Sequence, residues 1–475
     1  MAAGDLENRR HRRLLGAIVA LGVLLRVVLT WRNPPFNAWD DHFEPIQLLL
    51  TQGAIPPKFA CFQCYHPPVF YLASAALAWL VSALGLAGAA GVKILQSLNT
   101  AFGIATLLIA VALIERLPVS RGARTATALL VAVLPRHLYV SAAHGNDGLA
   151  VLLVTLVAWM LMGLGDGRVS WRRYAALGGI ASLAIFTKYN GIIVLPAIAA
   201  GLALLPAFRD RTWRRSAISR AALAVGVPAL LLAAAMTSNL SEYGSALPGN
   251  DDYATRNPAA ADLMGRQPRD GAGIDFVAFS PWRFVAHPLL RPGQIGEFWT
   301  LMHASFWFDN DAKFVQLLAS ERWAEDYYAW LRGEAPFPDD PREPAAQAAL
   351  RLGSALELLG TAVLVLGAIG AAALALEVLG SRPSRTIGFP AAGALAALAT
   401  FNVLGMAFWA NRVAVYSAVK ATYLLPSLGP MAVVVAVGCA RVERNRFAWW
   451  LVVATVAALA AAVIVHVGQI VLTPQ

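Results

Sequence analysis

Arg9-Arg10-His11-Arg12-Arg13 runs directly into an apolar stretch at 14–31, and Asp40-Asp41-His42-Phe43-Glu44-Pro45 follows a few residues beyond it. A run of this length matches the ~20 residues that a helix needs to cross a bilayer core. The basic cluster ahead of it marks the cytoplasmic end. There is no small-residue cleavage site, so the run reads as a retained span and not a signal peptide. Two adjacent carboxylates just past its outer end are uncommon at a membrane edge, where ionisable groups are costly and usually functional.

The rest of the chain repeats this pattern. Its 475 residues are 58% hydrophobic and 14% charged, whereas a soluble domain carries about 25% charge. The apolar residues come in helix-length runs and not in the alternating ten-residue strands of a barrel. The expected fold class is an all-α polytopic membrane protein. Net charge is +10, but the arginines cluster between apolar runs, which is the signature of cytoplasmic loops and speaks against a nucleic-acid partner.

Charge parity sets the topology. Arg13 and Arg116 belong inside, and the acids at 40–41 and 147 belong outside. Of the two apolar stretches at 69–87 and 93–113, only one can then cross. The stretch 69–87, which follows the Pro67-Pro68 break, is expected to lie at the interface. Further spans are expected near 125–141, 149–162, 174–186, 192–205, 221–236, 351–376, 387–410, 423–438 and 447–468, giving about eleven with the N-terminus cytoplasmic. Three regions are expected: an N-terminal transmembrane catalytic half at 1–237 with a first outer loop at 32–92, an extracytoplasmic loop subdomain at 238–350 with short helices, and C-terminal transmembrane helices at 351–475. The loop is too long to be a mere connection.

With that parity the unusual polar residues fall on the outer side: Asp40, Asp41, His42, Glu44, His66, His137, His144, Asp147, Lys188, Lys420 and Tyr423. Each has a plain structural reading beside the functional one. Asp40 or Asp147 can cap a helix, and the lysines can snorkel. Yet lysines on the side that the charge rule disfavours call for an anionic partner. Cys61-x-x-Cys64 in the first outer loop, among only three cysteines, reads first as a local disulfide. A zinc site with His66 lacks a visible fourth ligand.

Asp40-Asp41-His42-Phe43 followed by His66-Pro67-Pro68 resembles the Asp-Glu-x-His-Phe and His-Pro-Pro-Leu elements of protein O-mannosyltransferases. Aminoarabinose transferases carry a related Asp-Glu and a Lys-Pro-Pro element in the same loop. Asn146-Asp147 resembles the second acidic site of these enzymes, Thr187-Lys188 their Thr-Lys-Gly element, and Lys420-x-x-Tyr423-Leu424-Leu425-Pro426 their basic-Tyr-Leu-Pro element. The order matches along the whole chain except for the long loop. The resemblance implies the GT-C fold and inverting transfer of a sugar from a polyprenyl-phosphate donor to an acceptor hydroxyl of a glycan, lipid or protein. It implies Asp40 as general base, with Asp41 and Asp147 as the further acids. Asp41 stands where the family has Glu, and two departures matter: His66 takes the place of the Lys of Lys-Pro-Pro, as in the mannosyltransferases, and Lys420 takes that of an Arg, three residues from Tyr423.

The chemistry fits these residue types. A sugar hydroxyl needs a carboxylate to take its proton, and a departing lipid phosphate is helped by fixed cations such as Lys188 and Lys420, with Tyr423 beside them. His42, His66 and His144 are candidate substrate contacts. No cofactor is required by this scheme, though a divalent metal is possible. Two other readings remain open. One is an oligosaccharide transferase acting on a lipid pyrophosphate through a metal held by Asp40 and Asp147. The other is a transporter, which would more often show inverted repeats and midplane acids. The expected location is a bacterial inner (plasma) membrane, with the site extracytoplasmic.

Overall fold

A computed structural model describes residues 2–34, 41–86, 88–163, 170–205, 214–259, 261–262, 274–289, 296–308, 312–379, 388–413 and 419–473. Asp40, the expected general base, lies outside the described residues.

The chain is all helical, with one isolated bridge between Asp275 and Glu297 among the described residues. The helices in order are α1 (Ala2–Arg32), α2 (Phe43–Gln52), α3 (Val69–Ala83), α4 (Ala89–Glu115), α5 (Arg121–Val133), α6 (Pro135–Ala142), α7 (Asn146–Leu161), α8 (Trp171–Thr187), α9 (Val194–Ala203), α10 (Ile218–Tyr243), α11 (Asn250–Arg256), α12 (Arg283–Ala286), α13 (Phe298–Trp307), α14 (Lys313–Gln316), α15 (Glu321–Leu331), α16 (Pro344–Leu379), α17 (Phe389–Arg412), α18 (Leu428–Val442) and α19 (Arg446–Leu472). Short 3-10 turns at Tyr189–Ile193 and Ala421–Ser427 lead into α9 and α18.

Seven helices are long and apolar enough to cross a membrane, or eight if the bent pair α5–α6 is one span. This makes the chain a polytopic α-helical membrane protein. The sequence suggested about eleven spans. Three of those expected spans fall on helices that are too short to count on length alone: α7 with 16 residues, α8 with 17 and α9 with 10. The stretch expected at the interface forms α3, whose 15 residues rise only about 22 Å, less than the ~30 Å core.

Local chemistry explains the breaks. Pro135 has no N–H, so α5 ends there and α6 starts again at a 43° bend. The guanidinium of Arg26, fully buried on α1, reaches this break. It donates to Ala132 O at 3.1 Å and to Gly22 O on its own helix at 2.7 Å, and lies 2.8 Å from His137 Nδ1. α16 and α18 touch backbone to backbone. A Cβ on Gly370 would collide with the Val434 carbonyl, and one on Gly438 with that of Leu366. Small residues that permit such approach are what apolar membrane helices use in place of a hydrophobic driving force.

The segment expected at 238–350 is bounded by α10, which runs to Tyr243, and α16, which starts at Pro344. Its helices are short, and α13 is wedged into the bundle. Trp307 and Phe308 lie against Gly360 and Gly353 of α16. On another face of α13, the Ser305 hydroxyl accepts a 2.7 Å hydrogen bond from Ala421 N. Phe284, Phe298, Leu301 and Tyr327 therefore share one apolar core with Leu25, Leu29 and Leu107 of the spans.

Candidate functional site

Two clusters meet at the start of α7. The first is built by the loop after α1. Asp41 Oδ1 accepts from Phe43 N at 2.8 Å and so starts α2, as a short acid does ahead of a helix. His42 is 2% exposed. Its ring stacks on His66 at 5.9 Å and on Tyr71 at 5.9 Å, and its Nδ1 lies 2.8 Å from the Tyr71 hydroxyl. That hydroxyl donates to Gln63 O, so it must accept from His42 Nδ1–H, which leaves Nε2 as the basic nitrogen. The Cys61–Cys64 disulfide closes this loop, with both sulfurs buried. Lys58 donates to His66 O at 3.2 Å and sits over the Tyr189 ring. Burial pushes its amine down to about 8, against the opposing pull of Glu242.

His144 completes this cluster. Its ring stacks on Phe43 at 4.3 Å and leans on Phe70. Burial, with His42 next, pushes it down to about 3, against a contact with Leu95 O that favours the proton. It is therefore neutral at ordinary pH and acts here as an aromatic wall. Gly145 beside it leaves room for the His42 ring: a Cβ there would sit 3.0 Å from His42 Cδ2.

The second cluster lies two residues on. α8 ends at Thr187, and Lys188 adopts an extended backbone before the 3-10 turn. This break turns its ammonium toward α7, where Nζ donates to Asp147 Oδ1 at 2.7 Å. The side chains are 10% and 17% exposed. The Tyr423 ring covers the same ammonium at 4.9 Å, a cation–π contact. Tyr423 stands in the turn that opens after Lys420, itself extended and half-buried. Residues 147, 188 and 423, far apart in the chain, thus converge on one charge.

The structure brings together Asp147, Lys188 and Tyr423, and separately His42, His66 and His144 with Asp41 at their edge. Lys420 shares the turn of Tyr423. Sequence reasoning missed Arg136. It is 3% exposed, its Nε donates to Thr422 Oγ1 at 2.6 Å, and its guanidinium lies over the Tyr139 ring. The available signal was an arginine directly after Pro135 inside an apolar run. Among the described residues no three His, Cys, Asp or Glu side chains are grouped as metal ligands.

No family model and no curated protein matches this chain. Solved structures do. The Archaeoglobus fulgidus oligosaccharyltransferase, crystallised with Zn and sulfate, is similar over 96% of this chain at a TM-score of 0.54 and 15% identity. The same enzyme, AglB, with an inhibitory peptide and a dolichol-phosphate, is similar over 98% at a TM-score of 0.52. These alignments cover 53% and 56% of the oligosaccharyltransferase, so the chain spans about half its length. ArnT from Cupriavidus metallidurans aligns over 90% of this chain at a TM-score of 0.34, too low to argue from. The likeness at low identity speaks to architecture alone, and by it this chain shares the fold of about half of that oligosaccharyltransferase.

Proposed function

We propose that this protein is an inverting membrane glycosyltransferase that moves a sugar from a polyprenyl-phosphate donor to an acceptor hydroxyl on the extracytoplasmic side. The observation that carries this reading is the buried Asp147–Lys188 pair under Tyr423. Asp147 accepts from the ammonium and anchors it at the start of α7. A cation held in this way, near Lys420 and Arg136, suits a phosphate that gains charge as it leaves. Preorganisation of this kind costs no rearrangement at the moment of reaction.

In this scheme Asp40 takes the acceptor proton, in the segment just before Asp41 and the helix it starts. Asp41 and Asp147 tune that end of the site. His42 and His66 line the acceptor side, with Nε2 of His42 the acceptor nitrogen. His144 contributes a neutral apolar face. The outer leaflet delivers the donor, and the acceptor hydroxyl comes from a glycan, lipid or protein.

The likeness to an oligosaccharyltransferase crystallised with Zn keeps a second reading alive, in which Asp40 and Asp147 hold a divalent ion against a pyrophosphate. The Lys188 contact favours the first reading, because an ion at Asp147 would have to compete with an ammonium already there. The test uses purified protein with polyprenyl-phosphate and polyprenyl-pyrophosphate sugars, each with and without chelator. Turnover of the monophosphate donor that survives chelation supports the proposal. Turnover of only the pyrophosphate donor, lost on chelation, replaces it with the second reading.

A further inference from the structure

The ion pair is flanked by amides whose hydrogen-bonding atoms are unmet. Asn146 precedes Asp147 and is fully buried, yet neither Oδ1 nor Nδ2 has a hydrogen-bond partner. Asn190, two residues past Lys188, is in the same condition at both atoms. Asn99, packed under Gly148, gives Nδ2 to Gly145 O at 2.7 Å but leaves Oδ1 unmet. A buried polar atom without a partner is costly, and native proteins contain few of them. Here four such atoms lie within two residues of one end of a single salt bridge, and a fifth belongs to the side chain bonded to Gly145, the glycine that opens α7.

This pattern has a chemical meaning. An amide offers one acceptor and a two-hydrogen donor side by side. A hydroxyl is both donor and acceptor, so vicinal hydroxyls satisfy a pair of amides fully. Charged ligands would be matched by cations, which this site already has in Lys188. Apolar ligands would leave the amides as they are.

We infer that Asn146 and Asn190 are the sugar-reading residues of this site, binding ring hydroxyls of the transferred sugar beside the Asp147–Lys188 pair. Asn99 holds the start of α7 through Gly145. The side chains that now cover the amides must shift to admit the ring. This assignment rests on the glycosyltransferase reading and adds which residues recognise the sugar as distinct from the phosphate.

The test is equilibrium binding to protein in nanodiscs. The probes are bare decaprenyl phosphate and a panel of decaprenyl-phosphate-linked hexoses and pentoses. Wild type should bind its best glycosylated probe more tightly than the bare phosphate. Asn146→Leu and Asn190→Leu should each weaken that probe by roughly tenfold and leave bare phosphate binding unchanged. Asn146→Asp, which keeps the acceptor and loses the donor, should change the order of preference across the panel. If either leucine variant weakens both probe types equally, the amides serve the fold and the assignment is wrong. Wild type that binds bare phosphate but shows no preference for any sugar also overturns it. Wild type that binds no probe overturns the glycosyltransferase reading beneath it.

Discussion

Replacing Lys188 by Met separates the structural role of the ion pair from its chemical one. The ammonium lies 2.7 Å from Asp147 Oδ1, with both side chains less than one-fifth exposed. Removing one partner of a buried pair leaves the other charge uncompensated and typically costs 3–5 kcal/mol. With the remaining exposure, the low end applies, about 3 kcal/mol, or roughly 150-fold in the folding equilibrium. Loss of the Tyr423 contact adds about 1 kcal/mol. The measurement is reversible unfolding in mixed detergent, run beside donor titration at saturating acceptor. Asp147→Asn in the Lys188→Met background should recover most of the lost stability, because the stranded carboxylate is gone. It should not recover donor use, because the cation for the phosphate is still missing. A coupling energy near zero in the double-mutant cycle would show that the pair does not carry the fold. A donor KM unchanged in both variants would remove Lys188 from phosphate binding.

Asp40→Asn should lower turnover by a hundredfold or more while leaving folding intact, and Asp41→Asn should do less; the reverse order in purified variants would exchange their roles. Lys58 titrates near 8 in the folded chain against 10.5 for the free amine. The unfolded chain therefore binds more protons between those values, and stability should rise with pH across that window. Lys58→Met should flatten the rise, and an identical slope in the variant would refute the assignment. Protein purified without reductant should show no labelling at Cys61 or Cys64, and reduction should cost on the order of 2 kcal/mol; full labelling before reduction would reject a bridge in solution. In a cysteine-free background, Ala90→Cys should react with an impermeant thiol reagent from outside and Arg116→Cys only after permeabilisation. Protection at 90 would mean that α3 crosses the membrane.

Much of this architecture was legible because hydropathy and arginine placement act segment by segment. The spans at α1, α4, α16 and α19 announce themselves in any window of the sequence. The meeting of Asp147, Lys188 and Tyr423 was foreshadowed because each sits at a helix break, where Gly145, the 188–191 turn and Pro426 interrupt apolar runs. What stayed hidden depends on partners. Arg26 lies inside an apolar run and looks like an exception, and only the break at Pro135 supplies the carbonyl that accounts for it. Arg136 gives no periodic signal. The wedge of α13 was unreadable, since ten mostly apolar residues are too few to mark a span and do not name the helices they enter between. The unmet amides of Asn146 and Asn190 are a property of packing and have no counterpart in a string of letters.

Because the charge centre combines residues 147, 188 and 423, it has a place in time as well as in space. During synthesis the Asp147 and Lys188 segments emerge well before the turn that carries Tyr423. At common translation speeds the delay exceeds about ten seconds. α13 meets the same constraint, since Ser305 must wait for Ala421. A nascent chain is thus unable to assemble this charge centre until the 421–427 turn has left the ribosome. Under the proposed function, a chain truncated before residue 421 lacks the Tyr423 cover over Lys188, so late assembly would keep partial chains from consuming lipid-linked sugar.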